Sequence, residues 1–87
     1  MSEQYHRYTN EIAYILNKLC NCQIEKINIT YFINTGNYDG LIPGIENYSI
    51  KELYDMIDNL DYRIEKHSEK VLVLEEKREE ILYNIIS

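Results

Sequence analysis

Apolar positions follow three different rhythms along this chain. Tyr5, Tyr8, Ile12, Ile15 and Leu19 are separated alternately by three and four residues, which places them on one face of a helix. Arg7, Asn10, Glu11, Asn17 and Lys18 fall on the other side. The spacing predicts an amphipathic helix over residues 3–22. From Gln23 the rhythm changes. Ile27, Ile29, Tyr31 and Ile33 alternate with Asn28, Thr30, Phe32 and Asn34, a period of two rich in β-branched residues that reads as a strand. The run NTGNYDGLIPG then carries all three glycines and the sole proline, so the chain turns there. Leu41 and Ile42 could form a short return strand, which makes 24–48 a strand-and-turn segment. A lone hairpin is barely stable in water, so it would have to lie on a helix or on another chain.

The third rhythm is the longest. Ser49-Ile50-Lys51-Glu52 fits a helix-opening capping box, and neither Gly nor Pro follows it. With Ile50 at heptad position a, the a residues are Ile50, Ile57, Ile64, Val71, Arg78 and Ile85. The d residues are Leu53, Leu60, His67, Leu74 and Ile81. β-Branched a residues with Leu at d favour two-stranded coils, and a polar residue such as His67 or Arg78 in the seam penalises shifted registers. A continuous helix over 49–86 would be about 55 Å long, twice the roughly 27 Å of the first helix. Part of the seam would then stay bare in a monomer, so these eleven positions are expected to form a homodimer seam. A break near His67 would instead fold the segment into two shorter antiparallel helices. Ser68 could cap the second of these, but no Gly or Pro supports the break and the seam keeps its register across it, so the continuous helix is the expected form. Val71-Leu72-Val73-Leu74 is apolar on every side of the helix, which calls for a further packing partner. The fold expected is mainly α with a small β element, a helical bundle forming a single small domain over 1–87.

Charge changes the picture more than composition does. The formal net charge of -6 disfavours direct binding to nucleic acid or to an anionic membrane, which needs clustered Lys and Arg. No apolar run approaches the roughly 20 residues of a membrane span. The N-terminal MSEQYHRYTN lacks the form of a secretory signal, so a cytoplasmic location is expected. Cys20 and Cys22 are too few for a closed zinc site and too close for a relaxed disulfide. Both are read as buried structural thiols. His6 and His67 sit in no nucleophile–base arrangement, and the glycine spacing forms no phosphate loop. No enzymatic activity, cofactor or metal is therefore expected. The block Glu75, Glu76, Glu79 and Glu80 reads as a charged solvated face.

What remains is interaction. Exposed tyrosines offer a large amphipathic contact area at little cost in conformational entropy. Tyr38, Asp39, Leu41 and Tyr48 in the loop are candidate partner contacts. So are the carboxylates Asp55, Asp58, Glu65, Glu69, Glu76 and Glu80, facing a partner with a basic surface. The expectation is a small non-catalytic protein that binds and modulates, most simply inhibits, a protein partner. The bias towards Ile, Asn and Tyr suits an AT-rich genome, and the size and charge fit a phage or viral accessory factor such as an anti-CRISPR-type inhibitor, acting in a host cytoplasm. The alternatives are a structural coiled-coil assembly subunit and an acidic regulator that imitates nucleic acid.

Overall fold

A computed structural model describes residues 3–37 and 42–86, with side chains as far as residue 84. Two helices account for nearly all of it: α1 spans Glu3–Thr35 and α2 spans Ile50–Ile86. They run antiparallel, so that Thr9 meets Arg78 at one end while Lys26 meets Asp61 nearer the other. The molecule is a helical hairpin measuring 56 × 20 × 15 Å. Mainly α is the observed class, and α2 is continuous through His67 as expected.

The β element is not formed. Among the described residues there is no strand, and α1 continues 13 residues beyond Cys22. The physical reason lies in a longer pattern that overlaps the period of two. Tyr8, Ile12, Ile15, Leu19, Cys22, Lys26, Ile29 and Ile33 continue the alternation of four and three without interruption. Ile29 is fully buried and Ile33 half-buried, both towards α2. Ile27 and Tyr31, which a strand would have placed on the same face as Ile29, are instead 66% and 53% exposed. Burying one stripe of a long helix outweighs the modest strand preference of Ile and Thr.

The end of α1 is chemically marked. Gly36 adopts φ 74°, and its N–H donates to the Phe32 carbonyl at 2.8 Å, a left-handed helix cap that suits glycine. The loop then returns through a 3₁₀ turn, Ile45–Asn47, preceded by a second left-handed glycine, Gly44. Ile45 is 1% exposed and packs with Ile29 and Leu53, so the turn is fastened into the hairpin. Ile42, expected in a return strand, packs against the same cluster from the turn. Leu41 lies outside the described residues. At the start of α2 the Glu52 N–H donates to Ser49 Oγ at 3.2 Å, and the Leu53 N–H to the Ser49 carbonyl, which forms the serine half of the capping box.

The core is a single file in two parts. Near the turn, Cys22, Ile29, Ile45, Leu53 and Leu60 are buried together, flanked by Phe32, Ile33, Met56, Ile57 and Ile64. Towards the open end, Ile12 and Ile15 close on Val71 and Leu74, with Tyr8 at the margin. His67 is half-buried between the two groups. The heptad seam of α2 is thus turned towards α1 of the same chain. Leu53, Leu60, Val71 and Leu74 are buried, Ile57, Ile64, Arg78 and Ile81 are half-buried, and Ile50 is 57% exposed at the helix start. Ile85 has no described side chain. At 33 residues α1 is about 50 Å long, nearly matching α2. The bare length of seam that argued for a dimer does not exist.

Two further expectations change with this geometry. Val71 and Leu74 are buried, but Leu72 and Val73 are 61% and 48% exposed, and among the described residues no other element covers them. Cys22 is buried whereas Cys20 is exposed. Two residues apart on a helix means about 200° apart around it, so both thiols could not face one core.

Leu53→Ala should lower the free energy of unfolding by about 2–5 kcal/mol, through lost burial and the cavity left behind. Leu72→Ala should stay within about 0.5 kcal/mol of the parent. Urea denaturation followed by circular dichroism measures both, and equal losses would contradict the assignment of core and surface.

Candidate interaction surfaces

Two helices packed side by side leave most of each helix facing solvent, and the two outward faces differ in chemistry. α1 carries three acids and three bases, whereas α2 carries ten acids against six bases. A net charge of -4 out of the chain's -6 therefore lies on α2.

The sequence alone shows Lys and Arg interspersed among the acids of α2, but the helix sorts them. At about 100° per residue, Asp58, Glu65, Glu69, Glu76 and Glu80 fall within an arc of about 80° on the side away from α1. Tyr54, Tyr62, Leu72 and Tyr83 share that arc and are 53%, 61%, 61% and 72% exposed. Arg63, Lys66, Lys70 and Lys77 group on one flank, between about 40° and 100° beyond the edge of the arc. Lys66 reaches back towards the stripe, 5.5 Å from the centre of the Tyr62 ring and 3.6 Å from Glu69. Asp55 stands at the margin of the stripe. The result is a band of carboxylates and tyrosines along some 44 Å of helix, from Tyr54 to Tyr83, at 1.5 Å rise per residue.

Of the loop candidates, Tyr48 is 42% exposed at the foot of α2. Tyr38 and Asp39, like Leu41, lie outside the described residues. The six acidic candidates of α2 are all exposed, and five of them share one face.

The polar seam residues are satisfied within the chain. The Arg78 guanidinium donates to Thr9 Oγ1 at 3.4 Å and stacks 5.8 Å from the centre of the Tyr5 ring. Thr9 in turn donates to the Tyr5 carbonyl. Arg78 thereby keeps its charge at the rim of the core and meets a hydroxyl and a ring of α1. Lys26 interrupts the apolar stripe of α1, and its ammonium meets Asp61 at 2.6 Å. That pair borders a groove of about 630 Å³ lined by Ile27, Thr30, Tyr31 and Ile64. His67 borders a second groove with Cys22, Glu25 and Lys66. Among the described residues no three His, Cys, Asp or Glu side chains converge as metal ligands, and no helix is long and apolar enough to cross a membrane.

The outward face of α1 is of the opposite kind. Ala13, Leu16, Cys20, Ile24, Ile27 and Tyr31 repeat at three and four residues and are all exposed. Sequence reasoning missed this stripe because the strand reading cut it in two. Spacing alone, followed from Ala13 to Tyr31, would have found it.

The chain matches no protein-family model, and no similar protein was found among curated sequences or solved structures.

Lys26 and Asp61 are 41% and 49% exposed, so solvent screens their attraction. A double-mutant cycle with Lys26→Met and Asp61→Asn should give a coupling of about 0.2–1 kcal/mol. It should shrink further in 1 M salt, where the screening length is about 3 Å. A coupling of several kcal/mol that ignores salt would show the pair to be a buried anchor instead.

Proposed function

We propose that this chain is a small non-catalytic interaction protein that binds and modulates a protein partner through the outer face of α2. The observation that carries the reading is the sorting of charge on that helix from Tyr54 to Tyr83: five acids share one band with three tyrosines, four of the six bases stand beside it, and Lys51 precedes it. A solvated helix needs only enough charge of either sign, and gains a few tenths of a kcal/mol from opposite charges spaced four apart. Here the carboxylates are grouped with exposed tyrosines and Leu72, which is how binding surfaces combine apolar contact with charge.

The partner this surface suits has a basic patch bordering an apolar depression. Lys and Arg of such a patch would pair with Glu65, Glu69 and Glu76, and their stems and charges would lie on Tyr62 or Tyr83. The carboxylates step along the rod at about 6 and 10 Å. If the basic patch is itself a nucleic-acid groove, occupying it is inhibition by mimicry. That second reading is favoured by the absence of any base within the band from Tyr54 to Tyr83.

The test is affinity capture with the full chain, followed by calorimetry on the captured partner. Tyr62→Ala and Glu69→Lys should each weaken binding about tenfold or more, the range of a central contact residue. Tyr48→Ala should have a smaller effect. Capture that is indifferent to both α2 variants would remove this face from the function. Displacement of nucleic acid from the partner would identify the mimic form.

A further inference from the structure

We infer that the outward face of α1 is a self-association surface, on which a second copy of this chain packs antiparallel, so that the four helices lie side by side with the two α1 helices in the middle. Ala13, Leu16, Cys20, Ile24, Ile27 and Tyr31 lie within an arc of about 80° along 27 Å of helix. Each is exposed, with Ile27 at 66% and Tyr31 at 53%. The charged residues of this segment avoid the arc. Lys18 and Glu25 project at least about 100° outside it, and Lys26 is turned to Asp61 of α2.

Charge selects the occupant. A face without charge offers nothing to a basic or acidic partner, and it matches another face without charge. The -6 net charge would oppose contact between copies through α2. Contact through α1 places the two acidic bands on the outer surfaces of the dimer, each separated from the interface by its own hairpin. The arrangement leaves the α2 face open, and it stands independently of what that face binds.

Area points the same way. The chain exposes 6442 Å², whereas a compact monomer of 10.5 kDa would expose about 5,400 Å². That excess of roughly 1,000 Å² belongs to the elongated hairpin as a whole, 56 Å long, which leaves more surface open to a partner than a compact monomer has.

Side-chain size selects the orientation. With the two-fold axis between Cys20 and Ile24, Tyr31 of each copy lies opposite Ala13 of the other, and Ile27 opposite Leu16. Large residues then meet small or medium ones, as dense packing requires. A parallel pair would set Tyr31 against Tyr31 and leave a gap at Ala13. The antiparallel axis also brings the two Cys20 thiols within about 6 Å of each other along the helix axis. Cys22 is buried and takes no part.

Sedimentation equilibrium of the full chain, with crosslinking by a short bis-maleimide, tests the inference. The wild type is expected at twice 10.5 kDa, with a crosslinked dimer that disappears in Cys20→Ser. Ile27→Glu and Leu16→Glu change exposed positions, so both should keep their helical circular dichroism while falling to 10.5 kDa. Leu72→Glu on α2 should leave the mass doubled. A wild type that stays at 10.5 kDa at every concentration leaves the face to another protein and overturns the proposal. So does a dimer that survives both α1 variants or is broken by Leu72→Glu. A dimer without Cys20 crosslinks overturns the antiparallel arrangement.

Discussion

Two cylinders laid side by side touch along one line, and that constraint governs the rest of this molecule. Each helix can bury one stripe, about a third of its circumference, whatever the composition of the remainder. The buried file of Ile12, Ile15, Cys22 and Ile29 against Leu53, Leu60, Val71 and Leu74 is that line. There is no third layer among the described residues to receive any other apolar side chain. Leu72, Val73, Ile24, Ile27 and several tyrosines consequently remain in contact with water, although a three-helix fold would have enclosed some of them. Surface chemistry here is what a single line of contact leaves over.

The register along that line is set by polar residues at its edges. An apolar file alone tolerates a shift of one heptad, because Ile, Leu and Val pack in many combinations. Lys26 with Asp61, and Arg78 with Thr9 and Tyr5, occur at separated levels of the hairpin and would both be lost in a shifted pairing. Their individual contributions to stability are small because all of them are near solvent. Their effect is on which alignment is chosen. The two blemishes of the apolar stripes, Lys26 in α1 and Arg78 in α2, are thus understood together.

Much of the fold was legible in the sequence, and the misreadings have identifiable causes. α2 announced itself through the Ser49 cap and through 37 residues without Gly or Pro, and the first half of α1 through its spacing. The segment from Gln23 to Thr35 was misread because Ile27, Ile29, Tyr31 and Ile33 satisfy a period of two locally. The helical period holds only when Cys22 and Lys26 are counted with Ile29 and Ile33, and a lysine does not look like part of an apolar stripe. With α1 read as short, the seam of α2 looks half empty and calls for a second copy, whereas the full length of α1 fills it within the chain. The acids of the candidate surface could be listed from sequence, but their separation from the bases is a property of helical phase. It could not be read before α2 was known to be unbroken.

The buried Ile45 in the 3₁₀ turn has a consequence for how the hairpin comes together. It ties Ile29 to Leu53 at the point where the smallest loop must be closed. Beyond it every further contact joins residues more distant in sequence, until Arg78 reaches Thr9 across 69 positions. Closing that pair first would fix a very long loop for one weak bond. Closing it last adds a short increment to helices already aligned. Loop entropy therefore favours assembly as a zipper that starts from Ile45 and its neighbours. The order of closure follows from the place of one buried residue, even though the same two helices run the whole length of the molecule.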